Sequence, residues 1–197
     1  MVTALSDGVW WFDLGGVNAY LIDEAIAGDG EGDGLTLVDA GMPWHGSRLV
    51  AGITEVGYEL ADVERILVTH YDLDHVGGLS AFDGVDATIY AGAADADFVT
   101  GRRRPPWRNL KGLFQRATAG FVTPPEKPVE RVGDGDTVGA FTVYETPGHT
   151  PGHVAYVSEA ASVGLLGDAV RESGGSLEPS PWFISYDTDA VDRSVTD

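Results

Sequence analysis

The chain contains no cysteine, which excludes disulfides and every thiolate-based metal or redox site. Lysine is nearly absent too, with only Lys111 and Lys127, and the formal net charge is −19 with a pI near 4.3. Such a field repels nucleic acid and anionic membranes, so neither is expected as a partner. An acidic, lysine-poor surface around an ordinary apolar content points to adaptation to high salt, where cations screen the self-repulsion; the other reading is a merely acidic protein. No apolar run reaches the length of a membrane span, and no basic segment precedes an apolar one at the start. A soluble cytoplasmic protein is therefore expected, a single domain over 1–197, monomeric or homodimeric.

Histidine is scarce as well, and its placement is informative. Of five histidines, two fall in the stretch His70-Tyr71-Asp72-Leu73-Asp74-His75, just after the apolar run Ile66-Leu67-Val68. Two more fall in Pro147-Gly148-His149-Thr150-Pro151-Gly152-His153. In extended backbone the side chains at 70, 72 and 74 share a face, and the chain must turn before His75 can join them. Two imidazoles and two carboxylates so close together suit mixed N/O ligation of zinc, iron or manganese. A solvated acidic loop with incidental histidines does not explain the second histidine pair.

Hydrophobic patterning predicts strands at Val9 to Phe12, Ala19 to Ile22, Leu35 to Val38, Arg65 to Thr69, Thr88 to Tyr90, Val129 to Val132, Phe141 to Glu145, Val154 to Val157 and Ser162 to Leu166. Helices are expected at Ser47 to Val56, Leu79 to Phe82, Ala93 to Val99 and from Thr188 onward. The glycine–acid run from Gly28 to Gly34 lacks the spacing and closing Glu of a calcium loop. Between 92 and 128 the pattern loosens. There Arg102, Arg103 and Arg104 make a basic island beside aromatics, fit either to hold an acidic substrate group or to sit as a solvated or dimer-forming loop. Asn18, before an apolar strand, reads as a turn residue.

Four motifs in order, Leu37-Val38-Asp39-Ala40-Gly41, the H-x-D-x-D-H stretch, Thr146-Pro147-Gly148-His149-Thr150 and Leu166-Gly167-Asp168, make the chain resemble the metallo-β-lactamase-fold metallohydrolases, the superfamily that includes glyoxalase II and lactonases. The resemblance implies an α+β fold, a four-layer αβ/βα sandwich, with 92–128 as a variable cover. It implies one metal on His70, Asp72 and His149, a second on Asp74 and His75, and Asp168 bridging both. Asp39 would support the metal loop, Asn18 would lie near the pocket rim, and His153 would pack behind the ligands rather than ligate. Zinc is the expected ion, one or two per chain, with iron and manganese as alternatives.

The implied activity is hydrolysis of a small ester, thioester or lactone by metal-bound hydroxide, with Asp74 relaying a proton. Two features depart from the family pattern. Asp72 stands where many members carry histidine, and no histidine follows Asp168 to close the second metal position. The expectation is that the natural chain continues past Asp197; the other reading is a depleted second site. An iron-dependent redox enzyme is the alternative from another class. Flavodiiron proteins share a carboxylate at the position of Asp72 and the spacing from His149 to Asp168, but need a flavin domain beyond these 197 residues. A persulfide dioxygenase-like enzyme and a degenerate binding domain complete the alternatives.

Overall fold

The computed structural model describes residues 1–28, 33–107 and 109–196. Positions 29–32 of the glycine–acid run, Arg108 and Asp197 lie outside them. Strands β1 (Val2–Ser6), β2 (Val9–Asp13) and β3 (Asn18–Asp23) form an antiparallel meander. A one-turn helix, α1 (Glu24–Ala27), is capped by Asp23, whose carboxylate accepts from the Ile26 amide at 3.0 Å. Strand β4 (Leu35–Val38) follows, then helix α2 (Gly46–Glu55) and strand β5 (Val63–Val68). The short helix α3 (Leu73–Val76), strand β6 (Thr88–Gly92), helices α4 (Ala96–Val99) and α5 (Leu110–Thr118), and strand β7 (Val129–Val132) complete the first half. The seven strands lie side by side in chain order, and β4 to β7 run parallel.

A second, four-stranded antiparallel sheet holds β8 (Thr137–Val138), β9 (Phe141–Glu145), β10 (Val154–Ser158) and β11 (Val163–Leu165). A hairpin of β12 (Val170–Ser173) and β13 (Ser176–Pro179) leads to helix α6 (Thr188–Thr196). The period-two alternation of the central strands divides their side chains between two cores. Ile22, Val38 and Leu67 face the small sheet and meet Phe141, Val143, Val154 and Tyr156. Their neighbours Leu21, Leu37, Ile66 and Val68 turn to the other face, under Leu49 and Ile53 of α2 and Phe82. Burial on both faces explains why β4 and β5 read as continuous apolar runs.

Most expected elements appear within a few residues of their predicted bounds. The expected helix at 93–99 is shorter, Ala96–Val99, and that at 79–82 is a single 3₁₀ turn. Strand β1, helix α5 and the β12–β13 hairpin were not legible in the sequence. No helix among the described residues is long and apolar enough to cross a membrane.

Candidate metal centre

The parallel strands β4, β5 and β6 deliver their loops to one edge of the domain. Asp39 leaves β4 with a φ of 58°, in the left-handed region that a non-glycine residue adopts at a cost. That backbone turn aims its carboxylate at the end of β5. One oxygen accepts from the Thr69 amide at 2.9 Å; the other accepts from the Thr69 hydroxyl at 2.8 Å and lies 2.8 Å from His75 Nδ1. Thr69 Oγ1, having given its proton to Asp39, lies 3.0 Å from His70 Nδ1. The threonine oxygen is then free to accept from His70 Nδ1–H, and this contact turns Nε2 towards Asp72. Asp39 thus orients two imidazoles, one of them through a threonine.

Four donors converge: His70, Asp72, His149 and Asp168 each offer an atom within 4.8 Å of the others. Asp72 Oδ2 lies 3.1 Å from both His70 Nε2 and His149 Nε2, and Asp168 Oδ2 lies 3.6 Å from His149 Nε2. His149 Nδ1 is held from behind by Ser180 Oγ at 3.1 Å. Beside this group, His75 Nε2 lies 3.5 Å from Asp168 Oδ1 and 3.9 Å from Asp74 Oδ2. Asp168 therefore touches both parts. His153 is committed elsewhere: Nδ1 lies 2.7 Å from Thr146 Oγ1, and Nε2 accepts from the Asp168 amide at 3.1 Å. A side chain at Gly167, whose φ is 51°, would put its Cβ 2.7 Å from that same Nε2.

The electrostatics follow from burial and neighbours. Burial would raise the Asp72 carboxyl, but His149, His70 and the Lys111 ammonium hold it well below the carboxylate range. Burial acts on Asp168 in the same sense and is outweighed by His75, His70 and His149. Burial alone would lower His75, yet Asp39 and Asp168 hold it well above the histidine range. His149 falls to about 4, through burial together with the nearby His70 and Lys111. His153 is pushed down by burial and by the imidazoles around it.

Several residues at this centre were missed in the sequence. Lys111, on α5, donates to Asp72 Oδ2, and its Nζ lies 2.8 Å from His149 Nε2. Gln115, one turn on, donates to Asp72 Oδ1 at 2.8 Å and to the Tyr71 carbonyl at 2.5 Å, and accepts from the Tyr186 hydroxyl at 2.5 Å. Asp95 accepts from the Tyr71 amide at 2.9 Å, the Thr150 hydroxyl at 2.6 Å and the Gly152 amide at 2.8 Å, so it pins together the two histidine-bearing loops. The rarity of lysine could have marked Lys111. Nothing distinguishes Asp95 among 31 acidic residues.

Arg102, Arg103 and Arg104 do not line the cleft that Asp72, Asp74, His149 and Asp168 border. All three are exposed; Arg103 and Arg104 line a separate depression, with the Arg103 guanidinium 5.8 Å from the Phe98 ring centre. The Arg103 amide bonds back to the Asp97 carbonyl at 2.9 Å, which keeps the segment against α4. Asn18 accepts from Trp11 Nε1 at 2.8 Å and borders a cavity of about 610 Å³ that also reaches Tyr20, His75 and Asp168.

Two sheets packed face to face, with a His/Asp cluster where the strand ends converge, define a metallo-β-lactamase fold. The model of the metallo-beta-lactamase superfamily matches residues 12–196, and the chain belongs to that family. It is 27% identical over 193 residues to the uncharacterized protein YobT of Bacillus subtilis, covering 91% of this chain and 76% of that one. It is 30% identical over 157 residues to a hydroxyacylglutathione hydrolase of Cereibacter sphaeroides, covering 79% of this chain but only 49% of the relative. Among solved structures it is similar to BJP-1, a subclass B3 metallo-beta-lactamase of Bradyrhizobium japonicum, with a TM-score of 0.65 at 22% identity over 98% of this chain and 71% of that one.

Proposed function

We propose that the chain is a metal-dependent hydrolase of a small ester, thioester or lactone. The observation that carries this reading is the convergence of four N/O donors with His75 and Asp74 alongside, at the end of an open cleft. The donor chemistry fits a divalent ion. His70 and His149 each have Nδ1 engaged from behind and Nε2 facing the carboxylates, as ligating histidines require. His70, Asp72 and His149 would hold one ion, zinc by the mixture of donors, and Asp74 and His75 a second, with Asp168 shared. When bound, such an ion supplies Lewis acidity at a carbonyl oxygen and lowers the pKa of water towards neutrality.

The remaining work falls to the chain's own residues. Asp74 is about one-third exposed and borders the cleft, so its carboxylate can take a proton from the attacking water. As water adds to the acyl carbon and the C–O or C–S bond breaks, Asp74 returns that proton to the leaving oxygen or sulfur. The products are a carboxylic acid and an alcohol or thiol, or a single hydroxy acid where the substrate is a lactone. His153, Thr69 and Asp39 hold the imidazoles and the Asp168 backbone in register.

Metal content by elemental mass spectrometry tests the proposal, alongside an ester, thioester and lactone panel. One or two zinc or manganese ions per chain are expected, with loss of both metal and hydrolysis in a variant carrying His70→Ala and His149→Ala. Iron as the sole metal, or full metal and activity in that variant, would overturn it.

A further inference from the structure

Helix α5 is amphipathic the wrong way round. Its buried residues are Lys111, Gly112 and Gln115. Its apolar stripe, Leu110, Leu113, Phe114 and Ala117 at the i, i+3, i+4, i+7 spacing, stays outside the core, with Leu110 63%, Leu113 54% and Phe114 63% exposed. A surface helix ordinarily turns such a stripe inward. Here Lys111 and Gln115 are held down by Asp72, so the stripe must face outward.

What it faces is the cleft that ends at the metal residues. A cavity of about 650 Å³ has walls of Leu110, Leu113, Phe114 and Ala117 on one side and Phe183 and Ile184 on the other. Asp72, Asp74, His149 and Asp168 border the same cavity. Among the described residues its only cation is Lys111, already paired with Asp72. Two facing apolar walls, with Lys111 already paired, favour an uncharged, hydrophobic substrate arm.

We propose that this cleft is the subsite for an apolar arm of the substrate, so that the enzyme acts on esters, thioesters or lactones of medium-length fatty acyl groups. The assignment rests on the hydrolase reading for its chemistry, but not for its binding. It also separates this chain from hydrolases of thioesters with charged peptide thiols, whose carboxylates would meet no free cation among the described residues of the cleft.

The test has two arms on the metal-loaded protein. In the first, calorimetry measures binding of 1-decanol, which cannot be hydrolysed, to the wild type and to Phe114→Ser, a change at an exposed position that leaves the core untouched. Decanol binding that weakens at least fivefold in the variant supports the subsite, even if no ester is turned over and the hydrolase reading fails. In the second, kcat/KM is followed across p-nitrophenyl esters from acetate to decanoate. A rise of roughly twofold per methylene, about half of what full burial would give, that flattens in Phe114→Ser supports it. No decanol binding, or hydrolysis with a flat chain-length profile and a preference for lactoylglutathione, overturns the subsite while leaving the hydrolase reading intact.

Discussion

Asp95 illustrates how a single buried carboxylate can hold a site it does not enter. It is fully buried and accepts from three donors on the two histidine-bearing loops. Burial raises its carboxyl, and the donors from Thr150, Tyr71 and Gly152 pull it back. Asp95→Ala would strand those donors, and we expect a loss of roughly 3 kcal/mol in denaturant unfolding, with weaker metal retention. His149 sets a pH dependence in the metal-free protein. Its folded value near 4 lies below the reference of 6.5, so between these the unfolded chain binds more protons. The stability contributed by neutral His149 is complete above pH 6.5 and is lost as pH falls towards 4, by about 3 kcal/mol. Thermal melts of metal-free wild type and of His149→Gln test this, the variant showing the shallower slope.

At the scale of elements, α5 is where the sequence was least legible, and the reason is physical. Helices are read from an apolar stripe that the core buries, whereas α5 buries Lys111 and Gln115 and exposes its leucines and Phe114. Strand β1 escaped because four of its five residues are exposed, and the β12–β13 hairpin because it has no apolar alternation. The central strands and the histidine motifs were legible because burial and chemistry both follow sequence order there. Asp39 and the H-x-D-x-D-H stretch each end an apolar strand, which makes them visible in sequence even though Asp39 reaches Thr69 and His75 across 30 and 36 residues. The missed partners, Lys111, Gln115 and Tyr186, arrive from elements remote in sequence. The Lys111 ammonium sits between Asp72 and His149 and would oppose a second cation there. Lys111→Met should bind zinc more tightly in chelator competition, while its metal-free form melts lower because Asp72 loses its buried partner.

For the whole molecule, the two cores share the large sheet, and its central strands contribute to both. Phe141→Ala, at the centre of the inter-sheet core, should cost about 3 to 5 kcal/mol in denaturant unfolding. The net charge of −19 acts on the whole surface at once. Raising sodium chloride from low to molar concentration should increase the melting temperature of the metal-free protein, as screening relieves the mutual repulsion of its carboxylates.

The outward stripe of α5 has a consequence for how such a chain can change over generations. Leu110, Leu113 and Phe114 contribute little to the buried core, so replacing them costs little folding stability. The same three positions border the cleft beside Asp72, Asp74, His149 and Asp168. Selection can therefore vary them almost independently of foldability, and under the proposed acyl subsite new substrate preferences would arise there without disturbing the imidazoles and carboxylates below.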